Sequence, residues 1–325
     1  MKKFLIIQTA FIGDVVLATS LIEAIRKHFP GARIDFLLRK GNENLLLHHP
    51  HLENVYVLEK KSRKYAHVFQ MIRMVRKTRY DYLFNLQRFF TTGLIAFFAR
   101  SRWKVGFDKN PLSWAYHYKV RHTIGNGKHE IERNMELLAP LTEMQFVRPR
   151  LYPTEKQYDH VRPYQDKVYV CIAPASVWYT KQFPKEKWIS LVADLNPAYA
   201  VYLIGSAADY DLCQEIALRS GRKAVQNLSG LFSLLETAAL MQKAKMNYVN
   251  DSAPLHLASA MNAPVTAVFC STIPEFGFYP VSDDATVVET DMDLHCRPCG
   301  LHGFNACPEG HFKCARTIDV RKLLI

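Results

Sequence analysis

Short β-rich apolar runs alternate with amphipathic stretches along this chain, and the alternation starts over once, near residue 155. No other feature constrains the fold as strongly. Strand-like runs separated by helical periods imply parallel strands joined by crossover helices, a sheet covered on both faces. In the first half, strands are predicted over 4–10, 34–38, 55–58, 82–86 and 104–107, with helices over 14–29, 64–79 and 92–99. Val15, Ala18, Leu21, Ile22 and Ile25 recur at helical spacing in the first helix, and Pro30-Gly31 ends it. A polar, proline-bearing stretch over 148–163 follows. The second half gives strands over 168–173, 201–205, 247–250, 265–269 and 286–289, with helices over 185–194, 209–219, 234–242 and 254–261. The expected architecture is α/β: two doubly wound, Rossmann-like domains spanning 1–155 and 156–325. Ligands of such sheets lie at the carboxyl ends of the strands, so functional motifs belong just after strands.

Composition narrows the class. The chain has 325 residues, 49% of them apolar, which suits two domains of ordinary size with substantial cores. The apolar run after Met1 is short and reaches Gly13-Asp14 with no small-residue cleavage site, so it reads as a buried first strand and not a signal peptide. No stretch approaches the ~18 to 20 apolar residues of a membrane span. A cytoplasmic protein is expected. Cys171, Cys213 and Cys270 sit among apolar neighbours, as reduced core thiols do. The formal charge of +12 favours anionic partners: nucleotides, phosphorylated sugars, nucleic acid or an anionic membrane face.

Four motifs follow strands. In the first, Gln8 to Asp14, Asp14 stands at a helix start, where an acid caps the helix or, facing a ligand, takes a proton from an attacking hydroxyl. The motif is not GxGxxG, and the chain has no P-loop sequence. In the second, Ala173 to Pro184, Ser176 and Lys181 suit a phosphate, with a surface lysine as the plain alternative. In the third, Gly205 ends a strand and Asp209 is placed for a ribose hydroxyl or for a helix N-terminus. In the fourth, Asn250-Asp251-Ser252-Ala-Pro254-Leu-His256, a strand ends in polar residues and a helix begins at once. Its free amides and the Ser252 hydroxyl form an anion site, and His256 lies one turn in, on the side of Ser252.

Taken together, Ile12-Gly-Asp-Val15, Lys181-Gln-Phe-Pro184 with Trp188, Gly205, and Asp251-Ser252 with His256-Leu257-Ala258 resemble glycosyltransferase family 9, the ADP-heptose:lipopolysaccharide heptosyltransferases. The resemblance covers nearly the whole chain. It implies a GT-B fold, two Rossmann-like domains facing across a cleft, with the acceptor on the N-terminal domain and the ADP-sugar on the C-terminal one. It implies Asp14 as the general base. It implies Lys181 on the donor phosphate, Asp209 at the nucleotide ribose, and Asp251, Ser252 and His256 along the diphosphate. The reaction would invert the anomeric centre by direct displacement and need no cofactor. Ala253-Pro254 and Cys270-Ser-Thr272 depart from the family pattern, so another sugar donor, another acceptor or an epimerase of the same shape stays open. A nucleic-acid-binding protein is the alternative outside enzymes, and no binding module for it is present.

Two features lie outside these motifs. Lys60, Lys61, Arg63 and Lys64 open a basic stretch that runs to Arg79 with no acid. It reads as a solvated helix face, or as a surface for the phosphorylated acceptor or the inner membrane. For Phe89-Phe90 and Phe97-Phe98 core packing is the favoured reading over membrane contact. Cys296, Cys299, Cys307 and Cys314 could supply four thiolates to a structural zinc, though the second pair is wider than in a zinc ribbon. Packed free thiols and disulfides are the alternatives.

Overall fold

The structure, a computed structural model, describes residues 1–60, 64–143 and 145–324, the side chain of Lys64 excepted. The chain divides into two compact units, Met1–Ile124 with Lys128–Tyr152, and Pro153–Ile325 with Gly125–Gly127.

In the first unit β1 (Lys3–Ile7), β2 (Arg33–Arg39), β3 (Asn54–Leu58), β4 (Tyr80–Asn85), β5 (Ser101–Phe107) and β6 (Tyr118–Val120) form one parallel sheet in the order β3-β2-β1-β4-β5-β6. The helices are α1 (Ile12–His28), α2 (Lys64–Val75), α3 (Phe90–Phe98) and α4 (Glu130–Met135). Strand β1 is central, paired with β2 and β4. It is buried on both faces, which is why Phe4-Leu-Ile-Ile7 reads as a continuous apolar run. Val68, Met71, Ile72 and Val75 of α2 and Ile95 and Ala96 of α3 close one core against Leu5, Ile7, Leu37 and Leu83.

The second unit repeats the plan. Its strands are β7 (Tyr169–Ala173), β8 (Ala200–Leu203), β9 (Val225–Asn227), β10 (Met246–Asn250), β11 (Val265–Val268) and β12 (Ala285–Val288), all parallel, in the order β12-β11-β10-β7-β8-β9. The helices are α5 (Glu155–Val161), α6 (Lys185–Asp194), α7 (Tyr210–Arg219), α8 (Leu234–Gln242), α9 (Ala253–Ala260) and α10 (Lys313–Arg316). Trp188 is fully buried in the core against β7 and β8 and meets Phe183 edge-on at 5.1 Å.

The predicted elements stand within a few residues of those observed. The periodicity missed β6, β9, α4, α5 and α10. The first two are three-residue edge strands, Tyr-Lys-Val and Val-Gln-Asn, too short to show alternation. Helix α5 lies inside the stretch read as a connection. Gly13 lies in the first turn of α1 and is not among the positive-φ glycines, so no special backbone path depends on it. The aromatic pairs differ from expectation: Phe89, Phe90, Phe97 and Phe98 are 51, 49, 37 and 40% exposed. Their helix buries Thr91, Thr92, Gly93, Ile95 and Ala96 instead, because Phe90, Phe97 and Phe98 fall at i, i+7 and i+8 on the opposite face of α3, and Phe89 precedes it.

Candidate active site

In the first unit the chain leaves β1 through Gln8 to Phe11 and enters α1. Three side chains hold this loop. The Gln8 carbonyl accepts the Ala10 amide (3.2 Å) and the Gln87 side-chain amide. Asn42 donates to the Ala10 carbonyl (3.1 Å). Lys60 donates to the carbonyl (2.7 Å) and hydroxyl (2.8 Å) of Thr9. Lys60, expected on a basic surface, therefore serves the end of β1. Lys61 and Arg63 lie outside the described residues, as does the side chain of Lys64.

Asp14 is the third residue of α1, and its carboxylate accepts the Phe11 amide (3.1 Å). Phe11 has no side-chain acceptor, so the acid supplies the cap in its place. The carboxyl group is pushed up to about 6, first by burial and then by the charge of Glu130, with the Phe11 amide and Arg39 pulling the other way. Glu130 heads α4. Burial works against its ionisation, but His122 (3.3 Å) and the Arg133 guanidinium (2.7 Å) outweigh it and hold it below the usual range. Burial first, and the nearby Glu130 carboxylate second, thus hold Asp14 at about 6, closer to neutrality than an ordinary carboxyl and nearer the range in which a general base works. Glu130 carried no motif in the sequence.

In the second unit the ends of β7 and β10 are stitched together by buried Asn250. Its side-chain Oδ1 accepts the Phe183 amide (2.9 Å) and its Nδ2 donates to Pro174 O (2.8 Å), which fixes the loop carrying Ser176 and Lys181. Ser176 is half-buried, and its carbonyl accepts Gln182 Nε2 (2.7 Å). Lys181 Nζ lies 2.6 Å from Asp251 Oδ2, which also accepts the Thr272 hydroxyl at 2.6 Å. Ser252 is the N-cap of α9, with Pro254 in the first turn. His256 is buried in that helix, its ring 6.4 Å from Phe278. Gly205 and Asp209 meet at the head of α7: a Cβ at Gly205 would come within 2.9 Å of Asp209 Oδ2. That oxygen accepts the amide and hydroxyl of Ser206, both at 2.7 Å. Asp209 therefore has the local capping role, and its second oxygen Oδ1 carries none of these bonds.

Arg297, and the contact of Thr272 with Asp251, are contributions the motifs did not reveal. Arg297 donates to the carbonyls of Cys270 (2.7 Å) and Thr272 (2.8 Å) and pairs with Glu289 (2.6 Å), bracing the segment that presents Thr272 to Asp251. Residues 303–304 brace the lysine loop from the same direction. Thr180 and Phe304 exchange hydrogen bonds of 2.8 and 3.1 Å. Gly303, at φ +78°, leaves 2.9 Å between an added Cβ and the Thr180 hydroxyl, so it fits no larger residue. Arg297→Ala is expected to cost about 3 kcal/mol in urea unfolding, because buried carbonyls lose their donor. An unchanged midpoint would show that the brace is idle.

In the cysteine-rich segment the reading as packed free thiols fits the structure better than zinc or disulfides. Each of Cys299 and Cys314 is raised by burial and by neighbouring cysteines, so the four share one neighbourhood. All are free thiols, and Cys299 Sγ and Cys307 Sγ are taken up by the Cys296 carbonyl (3.1 Å) and the Phe312 amide (3.4 Å). Among the described residues no three His, Cys, Asp or Glu side chains are placed to hold a metal ion.

Two six-stranded parallel α/β units, each with polar side chains gathered at the carboxyl ends of central strands, are the paired Rossmann-like sheets of the GT-B fold class. Residues 68–302 match glycosyltransferase family 9 (heptosyltransferase), and the chain belongs to that family. It is 28% identical over 279 residues to lipopolysaccharide heptosyltransferase 3 of Escherichia coli, covering 81% of this chain and 82% of that one. Among solved structures, a family 9 glycosyltransferase of Veillonella parvula superposes with a TM-score of 0.86 at 20% identity, covering 99% of this chain and 95% of that one. An E. coli heptosyltransferase with ADP gives 0.73 at 21% identity, covering 88% and 92%. Both superpositions agree in fold with the paired sheets described above.

Proposed function

We propose that this protein moves heptose from ADP-heptose to the inner core of lipopolysaccharide, with inversion at the anomeric carbon. On this reading the second unit holds ADP and the first receives the acceptor. The observation that carries it is the pair of half-buried Lys181 and buried Asp251 beside the N-terminus of α9, at the carboxyl end of the sheet. A lysine held by a carboxylate is already oriented, and a diphosphate can take the place of that carboxylate as its partner. Negative charge grows on the leaving phosphate as the glycosidic bond breaks. Lys181, the Ser252 hydroxyl and the first amides of α9 stabilise it. Asp14, with its carboxyl raised to about 6, accepts the proton of the attacking hydroxyl. Asp209 contributes its remaining oxygen to the ribose, and His256 lines the phosphate side. The family relatives named as heptosyltransferases, and the solved relative with ADP, support the choice of donor.

No helix among the described residues is long and apolar enough to cross a membrane. The proposed location is the cytoplasm, at the inner face of the inner membrane, where a lipid-anchored acceptor would be met. A thermal-shift panel of ADP, UDP, GDP and duplex DNA, followed by transfer from ADP-heptose onto a deacylated core acceptor, tests the assignment. ADP alone should raise the melting temperature, since a ligand of the native state stabilises it, and product should require the acceptor. Stabilisation by UDP or GDP and not by ADP would sink it.

A further inference from the structure

Twelve Lys and Arg residues lie between Lys60 and Lys104, against one acid, Asp81, so this segment holds +11 of the chain's +12. Asp81 is occupied elsewhere, accepting the Lys3 amide at 2.8 Å. The excess charge of the protein is thus concentrated in one segment of the first unit, and among its described residues Arg73, Lys77 and Arg79 are exposed at or just past the end of α2.

The same surface exposes aromatic rings. Helix α2 buries Val68, Met71, Ile72 and Val75 and turns Tyr65, Phe69 and Arg73 outward at four-residue spacing, with Tyr65 63% and Phe69 60% exposed, and Lys77 is exposed two residues past its end. Helix α3 lies alongside it. Arg76, just past α2, donates to the Phe98 carbonyl at 2.8 Å. Phe97 and Phe98 meet edge-on at 5.0 Å, and Phe97 touches Trp114, which is 68% exposed, at 5.7 Å. Lys104 donates to the Phe97 carbonyl and lies 5.7 Å over its ring. A merely solvated helix face has no use for five exposed rings, and a core face would not carry the cations.

We propose that the outer face of α2 and α3, with Trp114, docks on a bilayer of anionic phospholipid. Cations attract the headgroups, and rings of this kind settle at the headgroup level, where one side is apolar and the other wet. The charge complementarity commits the surface to this occupant. An acidic protein would not need the rings, and nucleic acid would use them only as single strands to stack on. The proposal adds a membrane-docking surface to the transfer reading. Docking and transfer are read by separate assays, so either can fail alone.

The test is co-sedimentation of the full chain with vesicles of phosphatidylcholine, alone or mixed equally with phosphatidylglycerol. Binding is expected to the mixed vesicles only, and to be lost at high salt. Each cation near an anionic surface contributes roughly fivefold in affinity. The double variant Arg73→Glu/Lys77→Glu should therefore bind at least about 20-fold more weakly, and Phe69→Ser/Phe98→Ser should also lose binding. Both should keep the wild-type melting temperature and transfer to a deacylated, soluble acceptor at the wild-type rate. Equal binding to neutral and mixed vesicles, or wild-type affinity in either folded variant, would overturn the proposal. So would single-stranded DNA that displaces the vesicles and binds more tightly than they do.

Discussion

Asp14→Asn is expected to lower the turnover of sugar transfer about 10³-fold, within the range a positioned general base supplies, and to leave ADP affinity within about twofold. The asparagine keeps an oxygen for the Phe11 amide, so the cap survives while the proton acceptor is lost. The wild-type rate should rise with pH through about 6 and level off above it, because only the ionised carboxyl accepts a proton. The variant should lose this acid limb. Stability supplies a second check, with a definite sign. A carboxyl raised by burial and by Glu130 is easier to protonate folded than unfolded, so its ionisation lowers stability as pH climbs from the ordinary carboxylate range through about 6. Removing the charge should leave the melting temperature at neutral pH unchanged or higher. Loss of ADP binding together with a lower melting temperature would reduce Asp14 to a helix cap.

Lys181→Met should have the second large effect, and in two readouts. Losing the cation that faces the leaving phosphate should reduce kcat/KM for the ADP-sugar by roughly 10³-fold, the scale of a lost electrostatic stabiliser. The variant also strands Asp251, 5% exposed, with the Thr272 hydroxyl left as its partner among the described residues. Breaking a buried pair from one side costs about 3 to 5 kcal/mol. Adding Asp251→Asn should restore much of that stability in urea unfolding, because the stranded charge is then gone, and none of the activity. Recovery of activity in the double variant would mean that Lys181 merely neutralises Asp251 and does not contact the donor. An additive, uncoupled pair of stability effects would contradict the ion pair itself.

The legible parts of this protein were those written in local pattern. Helix α6 and helix α8 were predicted to the residue, since each has a clean apolar period and a definite start, a proline before Lys185 and a capping serine at Ser233. Strand β1 was plain because a strand buried on both faces must be continuously apolar. The motif positions of Asp14, Lys181, Gly205, Asp209, Asp251, Ser252 and His256 were visible for a related reason. Each follows a strand, where a parallel sheet leaves its backbone ends free for ligands. What escaped were contacts made by residues far apart in the chain. Glu130 acts on Asp14 from a helix of six residues that left no periodic trace. The Thr272 hydroxyl reaches Asp251, and Arg297 holds the Thr272 carbonyl; such bonds have no spacing rule.

By itself, then, the order of residues determined that two parallel sheets form and that acid, lysine, serine and histidine stand at strand ends. Hydrophobic period and turn chemistry act over a few neighbours and are readable there. Only the tertiary structure decided that Asp14 is tuned to about 6, that Lys181 is clasped by Asp251, that Lys60 serves the end of β1, and that four phenylalanines face outward. Burial, field and partner are properties of what packs alongside a residue, and folding brings those neighbours from elsewhere in the chain.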